Sequence, residues 1–205
     1  MRFAVIAAAV LAACALVSCL GIDNTFSINE DGSGRLVFEY RVSQMFKNLD
    51  KTEGDAELKN APLPLTEADV RRSLAKKDGL TVVSVRQWED DTDIHVRGEI
   101  AFRTVAALNQ SDLFEDMPVA LTRQNGQMIF TQLVTEKREP LDQESLDAYE
   151  GLLTGYDITI VVKAPRAISS ATLGKLSADK RELTYTISLM DFMRLTERTE
   201  LRVAW

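Results

Sequence analysis

The sequence is poor in the residue types that most often carry chemistry in a small domain. Its 205 residues include a single histidine, His95, and two cysteines, Cys14 and Cys19, both near the N-terminus. A disulfide framework needs several paired cysteines, and a structural zinc site usually needs several His or Cys ligands. The sequence therefore excludes a disulfide-rich scaffold, and we predict no metal site and no cofactor.

Signatures of nucleotide and nucleic-acid binding are also missing. No Walker or Rossmann glycine pattern occurs, so nothing supports a nucleotide cofactor. Asp and Glu number 31 against 24 Lys and Arg, which gives a formal net charge of −7. Nucleic acids and anionic lipid headgroups both select for basic surfaces. We therefore expect no nucleic-acid partner and no electrostatic docking on lipid.

The N-terminus has the build of a secretory signal. Arg2 is the only charged side chain before Asp23, and residues 3–17 are all apolar. A positive start, an apolar stretch and small residues at the cut are the order found in cleaved signals. A transmembrane helix needs about 20 apolar residues, so this stretch is short for a permanent span. We predict that residues 1–18 are a signal peptide and that residues 19–205 form a single domain.

Two overlapping motifs end this segment: "LAAC" at Cys14 and "LVSC" at Cys19. Both resemble the lipobox of bacterial lipoproteins, in which cleavage occurs just before a cysteine that then carries the lipid. Cleavage before Cys14 would leave a signal shorter than the usual 15–30 residues. Cys19 is therefore the predicted lipidation site. The mature chain would then hold one cysteine and no intramolecular disulfide.

The lipobox also implies a location. In some bacteria an Asp directly after the lipidated cysteine retains the protein at the inner membrane, and here that position is Leu20. The resemblance therefore implies a lipid anchor in the bacterial cell envelope, at the outer membrane, facing the periplasm or the cell surface. Stable attachment takes two or more acyl chains.

Apolar and polar residues alternate in at least seven segments, which is typical of strands with one buried face. The segments are residues 22–29, 35–43, 80–88, 94–102, 119–134, 156–165, 181–189 and 199–205. Within residues 119–134, Asn125-Gly126 predicts a hairpin with a type I′ turn. The second face of each segment is largely polar, which favours antiparallel sheet over buried parallel sheet.

Two segments have the marks of helices. In one, Thr66 is the predicted N-cap and Gly79 the terminator; in the other, Asp142 caps the helix and Gly155 ends it. Shorter helical turns are predicted near residues 44–49, 104–117 and 191–195. The resulting fold class is α+β: an antiparallel, mostly meandering β-sheet with two or three amphipathic helices packed on one face.

Two features remain as candidate sites. His95 lies on the strand face of Arg97 and Glu99, where it is either a general base or metal ligand, or a solvent-facing strand residue. The lack of a second His or thiol and of a "GxSxG" elbow favours the solvent-facing interpretation. The acidic turn at residues 89–93 could hold a hard cation weakly, but its spacing fits no standard loop. We therefore expect no catalytic residues and a protein that is not an enzyme.

The lipobox, a "DGSG" hairpin soon after it, "AFRTVAALN" and a terminal "LRVAW" are together similar to the LppM-type lipoprotein domain. That resemblance implies an α+β envelope domain that binds lipid-like molecules. Two functions are consistent with it. One is a non-enzymatic lipoprotein that acts through contacts with other envelope proteins at the membrane surface. The other is a carrier or sensor for an amphiphilic ligand, held between sheet and helices near Phe38, Tyr40 and Ile158.

Overall fold

The computed structural model describes residues 20–44, 64, 66–75 and 77–205, without the side chains of Leu20 and Leu152. The predicted signal peptide, Cys19 and most of the predicted helix at residues 44–49 lie outside the described residues. Within them, no helix is both long and apolar enough to cross a membrane.

Eleven strands and three α-helices follow one another along the described chain. The strands are β1 Leu20–Ile28, β2 Gly34–Ser43, β3 Leu80–Glu89, β4 Asp93–Phe102, β5 Val119–Gln124, β6 Gln127–Thr135, β7 Asp157–Lys163, β8 Ser170–Ala171, β9 Lys175–Leu176, β10 Glu182–Ser188 and β11 Thr199–Ala204. The helices are α1 Glu67–Leu74, α2 Gln143–Leu153 and α3 Leu189–Arg194, and two 3₁₀ helices span Val105–Gln110 and Asp112–Phe114.

The strands form two sheets. One has seven strands in the order β3-β4-β2-β1-β7-β10-β9, and the other has four in the order β5-β6-β11-β8. Among the described pairs only β1 and β7 run parallel; all others are antiparallel. The predicted α+β class, dominated by antiparallel sheet, is confirmed. The division into two sheets and the parallel pair at the centre of the larger one are additions that the alternation did not predict.

Turn chemistry sets the two clearest hairpins. Between β1 and β2, the Asp31 carboxylate accepts hydrogen bonds from the backbone N–H and the hydroxyl of Ser33, and Gly32 takes φ +83°. Between β5 and β6, Asn125 and Gly126 both have positive φ. Positive φ at both central residues is the requirement of a type I′ turn, so the prediction from the Asn-Gly pair is confirmed.

The inner faces of the two sheets meet in one continuous core. Phe26 of β1 is fully buried, and its ring centroid lies 5.1 Å from that of Phe130 on β6 and 5.8 Å from that of Phe114. These rings therefore join the larger sheet, the smaller sheet and the second 3₁₀ helix. Aromatic pairs at such separations add to the stability gained from burial alone.

The helices begin at the predicted caps. The side chain of Thr66 accepts a hydrogen bond from the backbone N–H of Asp69, and that of Asp142 accepts one from Ser145. Such caps satisfy backbone donors that the first turn of a helix leaves without partners. α1 ends at Leu74, earlier than predicted, and Gly79, with φ +77°, instead forms the turn into β3.

Candidate functional site

One end of the seven-stranded sheet contains Leu20, which follows the predicted lipidation site in the sequence. β1 begins at Leu20, which pairs with Val42, and the neighbouring Ser43 pairs with Asp93 at the start of β4. We call this edge, formed by Leu20, Val42, Ser43 and Asp93, the Leu20 end of the sheet. Strands are spaced about 4.8 Å apart, so the backbone of β4 lies about 10 Å from that of β1.

His95 lies near the Leu20 end, beneath an aromatic ring. Its side chain is only 14 % exposed, and its ring stacks on that of Trp88, with centroids 4.8 Å apart and planes 7° from parallel. The sequence interpretation of His95 as a solvent-facing residue therefore needs correction. Trp88 lies directly opposite His95 across the β3–β4 pair, and its large ring covers the imidazole.

Asp90 organises the turn between β3 and β4. Its Oδ1 accepts hydrogen bonds from the backbone N–H groups of Thr92 (2.9 Å) and Asp93 (2.8 Å) and from the Thr92 hydroxyl (3.0 Å). Its Oδ2 lies 2.8 Å from His95 Nε2. The two backbone N–H donors, and then His95, hold the pKa of the Asp90 carboxyl well below its usual range. The acidic turn is thus an ordered Asx turn.

Asp93 is the buried member of this turn, with 6 % exposure. Its Oδ1 accepts a hydrogen bond of 2.6 Å from the Tyr156 hydroxyl, and its Oδ2 lies 3.3 Å from the Thr92 hydroxyl. The guanidinium of Arg41 lies over the Tyr156 ring at 5.0 Å and donates to the carbonyl of Gly155. These contacts connect β4, β2 and the segment that leads into β7.

Together these elements bring three potential metal ligands to one place. Atoms of Asp90, Asp93 and His95 all lie within 4.8 Å of one another. Sequence reasoning treated His95 and the acidic turn as separate features and missed their combination. The signal was present, since residues 93 and 95 share a strand face by their spacing of two, and a short turn returns Asp90 to the same edge.

Beyond this cluster, the outer face of the larger sheet carries several ion pairs. Arg97 donates to Glu39 at 2.8 Å, and Arg35 pairs with Glu99. Burial raises the pKa of the Asp23 carboxyl, and the nearby Glu39 carboxylate adds to that shift. Exposed pairs of this kind contribute little to stability. This face is therefore polar in the way that a solvated sheet face requires.

The residues expected to line a ligand pocket belong to the packed core. Phe38, Tyr40 and Ile158 are each at most 2 % exposed. The Phe38 and Tyr40 rings stack 6.0 Å apart, and the Tyr40 hydroxyl donates to the carbonyl of Pro64. Burial raises the pKa of that hydroxyl, so it stays a neutral donor. These side chains lie on the inner face, as predicted, in contact with other core residues.

Gln132 of β6 is a polar exception within the core. It is fully buried between Val119 of β5 and Leu201 of β11. Neither its amide nitrogen nor its amide oxygen has a hydrogen-bond partner among the described residues. Buried amides without partners are rare and costly. The alternation of the strand places Gln132 on the inner face, but sequence alone did not single it out.

No protein-family model and no curated protein matches the chain. Among solved structures, the arrangement of strands and helices is similar to that of a lipoprotein domain. That structure is the NMR structure of the folded domain of LppM from Mycobacterium tuberculosis, with a TM-score of 0.51. The two share 13 % identity, and the match covers 90 % of this chain and 88 % of the other. The likeness is one of fold, and it agrees with the fold that the LppM-type resemblance implied.

Proposed function

We propose that this chain is a non-enzymatic envelope lipoprotein, anchored through lipid on Cys19 and acting through contacts with other envelope proteins at the membrane surface. The observation that carries the proposal is that β1 includes Leu20, the residue directly after the predicted lipidated cysteine. A domain that begins there has almost no linker, so its Leu20 end lies against the bilayer. The fold likeness to a lipoprotein domain supports the same conclusion. The outer membrane is the proposed location because Leu20, rather than Asp, follows the cysteine.

Metabolic labelling with a fatty acid tests the anchor. Wild type and Cys14→Ser are expected to incorporate label and to partition into the membrane fraction. Cys19→Ser is expected to lose both, because its thiol is the proposed attachment point. Cys14→Ser is the matched control, since it removes a thiol from the other overlapping motif.

Two outcomes would overturn the assignment. Label that persists in Cys19→Ser but vanishes in Cys14→Ser would move the lipid to Cys14. An unlabelled wild-type protein that still remains with the membrane would replace the lipid anchor with an uncleaved apolar N-terminus.

A second candidate function is that of a carrier or sensor for an amphiphilic ligand, and the observation that favours it is Gln132. Ligand sites are mostly apolar, with a few polar groups that orient the ligand. The fully buried amide of Gln132, without a hydrogen-bond partner among the described residues, is a polar group of this kind. Phe130 and Leu201 beside it supply apolar surface.

Titration with a fluorescent fatty-acid analogue tests the carrier function. Wild type is expected to bind the probe saturably, and Gln132→Met to bind it at least about tenfold more weakly, which is about 1.4 kcal/mol. This substitution removes the amide that would hydrogen-bond to the probe's carboxylate, and it keeps nearly the same side-chain volume at position 132. Gln124→Met, at an exposed position of β5, is the control and is expected to bind the probe as wild type does.

If Gln132→Met binds the probe as tightly as wild type and also has a higher unfolding temperature, the carrier function is contradicted. That pair of results would mean that Gln132 is only a destabilising buried amide.

A further inference from the structure

We propose that Asp90, Asp93 and His95 form a binding site for a divalent transition-metal cation, of which Zn²⁺ is the representative. This inference is independent of the anchor and of any ligand in the core. Its basis is the geometry, the supporting contacts and the charge of the three side chains at the Leu20 end.

The donor set and its spacing suit such an ion. One imidazole nitrogen with two carboxylate oxygens is a combination that Zn²⁺ accepts in proteins. In a tetrahedral Zn²⁺ site two ligands about 2.1 Å from the ion lie about 3.4 Å apart; His95 Nε2 and Asp90 Oδ2, which share a hydrogen bond, are 2.8 Å apart. All three donors fall within 4.8 Å. Rotation of the carboxylates by about 1 Å would bring the donors to the separation of about 3.4 Å that a tetrahedral site has.

Each proposed ligand is oriented by a second contact. Asp90 uses Oδ1 for the turn, which directs Oδ2 toward His95. The Tyr156 hydroxyl holds Asp93 through Oδ1, and Trp88 holds the plane of the His95 ring. Outer contacts of this kind position metal ligands and contribute strongly to metal affinity. The three side chains are thus held in place by the fold before any ion arrives.

The buried charge of Asp93 is the strongest indication. Buried carboxylates are normally paired with a cation or coordinate a metal. Asp93 is 6 % exposed, and its side-chain contacts among the described residues are the hydroxyls of Tyr156 and Thr92. The Thr92 hydroxyl has one proton, which is shared with Asp90, and a hydroxyl donor does not neutralise a carboxylate charge. A cation at this position would.

The position of His95 Nδ1 favours the same conclusion. Nδ1 of His95 is buried and has no hydrogen-bond partner among the described residues; the Glu39 carboxylate lies 4.0 Å away. When Nε2 of a neutral ring donates to Asp90, Nδ1 presents a lone pair toward that carboxylate. An ion bound at Nε2 would place the proton on Nδ1 instead, facing Glu39. A carboxylate behind a ligating histidine is the usual arrangement at protein metal sites.

Calorimetric titration of the metal-free full-length protein in detergent with Zn²⁺ tests the proposal. We expect saturable binding of one ion. His95→Gln is expected to weaken it at least about tenfold, because the loss of a ligand costs no less than the 10–100-fold seen for outer contacts. Asp78→Asn removes an exposed carboxylate paired with Arg103 and is the matched control, expected to bind as wild type does.

The fluorescence of Trp88 provides a second measurement, and it would not change if the three side chains had only a structural role. Its ring stacks on His95, so Cu²⁺ bound at the site should quench its fluorescence. Trp88→Phe should lose this quenching, because it removes the ring that stacks on His95. A wild-type protein that shows no saturable Zn²⁺ binding, or a folded His95→Gln variant that binds Zn²⁺ as tightly as wild type, would overturn the proposal. Circular dichroism of each variant establishes that it is folded. Fatty-acid labelling of Cys19 is unaffected by either result, so the anchor and the metal site are tested separately.

Discussion

Replacing Phe26 by alanine is expected to destabilise the domain by about 3–5 kcal/mol, the range found for deleting a buried Phe side chain. Phe26 is fully buried, and it is the ring of the larger sheet that contacts both Phe114 and Phe130. Its removal leaves a cavity where the two sheets and a 3₁₀ helix meet. A change of this size is a large fraction of the total stability of an ordinary domain.

Urea unfolding followed by circular dichroism measures this change as a lower midpoint with a similar slope. Thr25→Ala is the matched control, because Thr25 lies on the same strand, half-buried, with its side chain on the opposite face. We expect that control to change stability by about 1 kcal/mol or less, the span of strand propensities. Equal losses in the two variants would mean that the sheets do not pack through Phe26.

Gly98→Ala is expected to destabilise the domain by about 1–3 kcal/mol, the usual effect of overpacking a core. Gly98 lies on β4 opposite Phe38 of β2. A Cβ atom at position 98 would meet the Phe38 ring at 2.3 Å and 2.5 Å. Phe38 is 1 % exposed, so its ring has little room to move. The aromatic ring over a strand glycine thus fills the space that a side chain at 98 would otherwise occupy.

Gly151 offers a control of opposite sign. It lies in the last turn of α2, with nothing within 4 Å of an added Cβ, and alanine in a helix is better than glycine by up to about 0.5–1 kcal/mol. Gly151→Ala should therefore raise the urea midpoint while Gly98→Ala lowers it. Destabilisation by both substitutions, or by neither, would contradict the close packing of Phe38 on Gly98.

The candidate metal site shows how far sequence reasoning reaches. The acidic turn and the lone histidine were both visible, but each was weighed alone against standard ligand spacings and neither fitted. Burial was the missing quantity. Trp88 covers His95, and Tyr156 reaches Asp93 from a segment 63 residues away. No local pattern predicts which distant side chain will cover or hold another, so the reduced exposure of these groups was not predictable.

Periodicity and turn chemistry are local, and the sequence by itself determined what depends on them. The strand segments, the helix caps at Thr66 and Asp142 and the Asn125-Gly126 turn follow from side chains within a few residues of one another. The same locality led to the α+β class, because alternating segments outnumber helical ones and both kinds are present.

Only the tertiary structure decided how these segments pair. β1 lies between β2, its neighbour in sequence, and β7, which begins at Asp157 and runs parallel to it. β5, β6, β8 and β11 form a separate sheet against Phe26. Pairing between distant segments depends on how apolar faces fit together over the whole core, and alternation within one strand carries no information about its partner. The same long-range pairing places Asp90, Asp93 and His95 at the same end of the sheet as Leu20, with β2 between them.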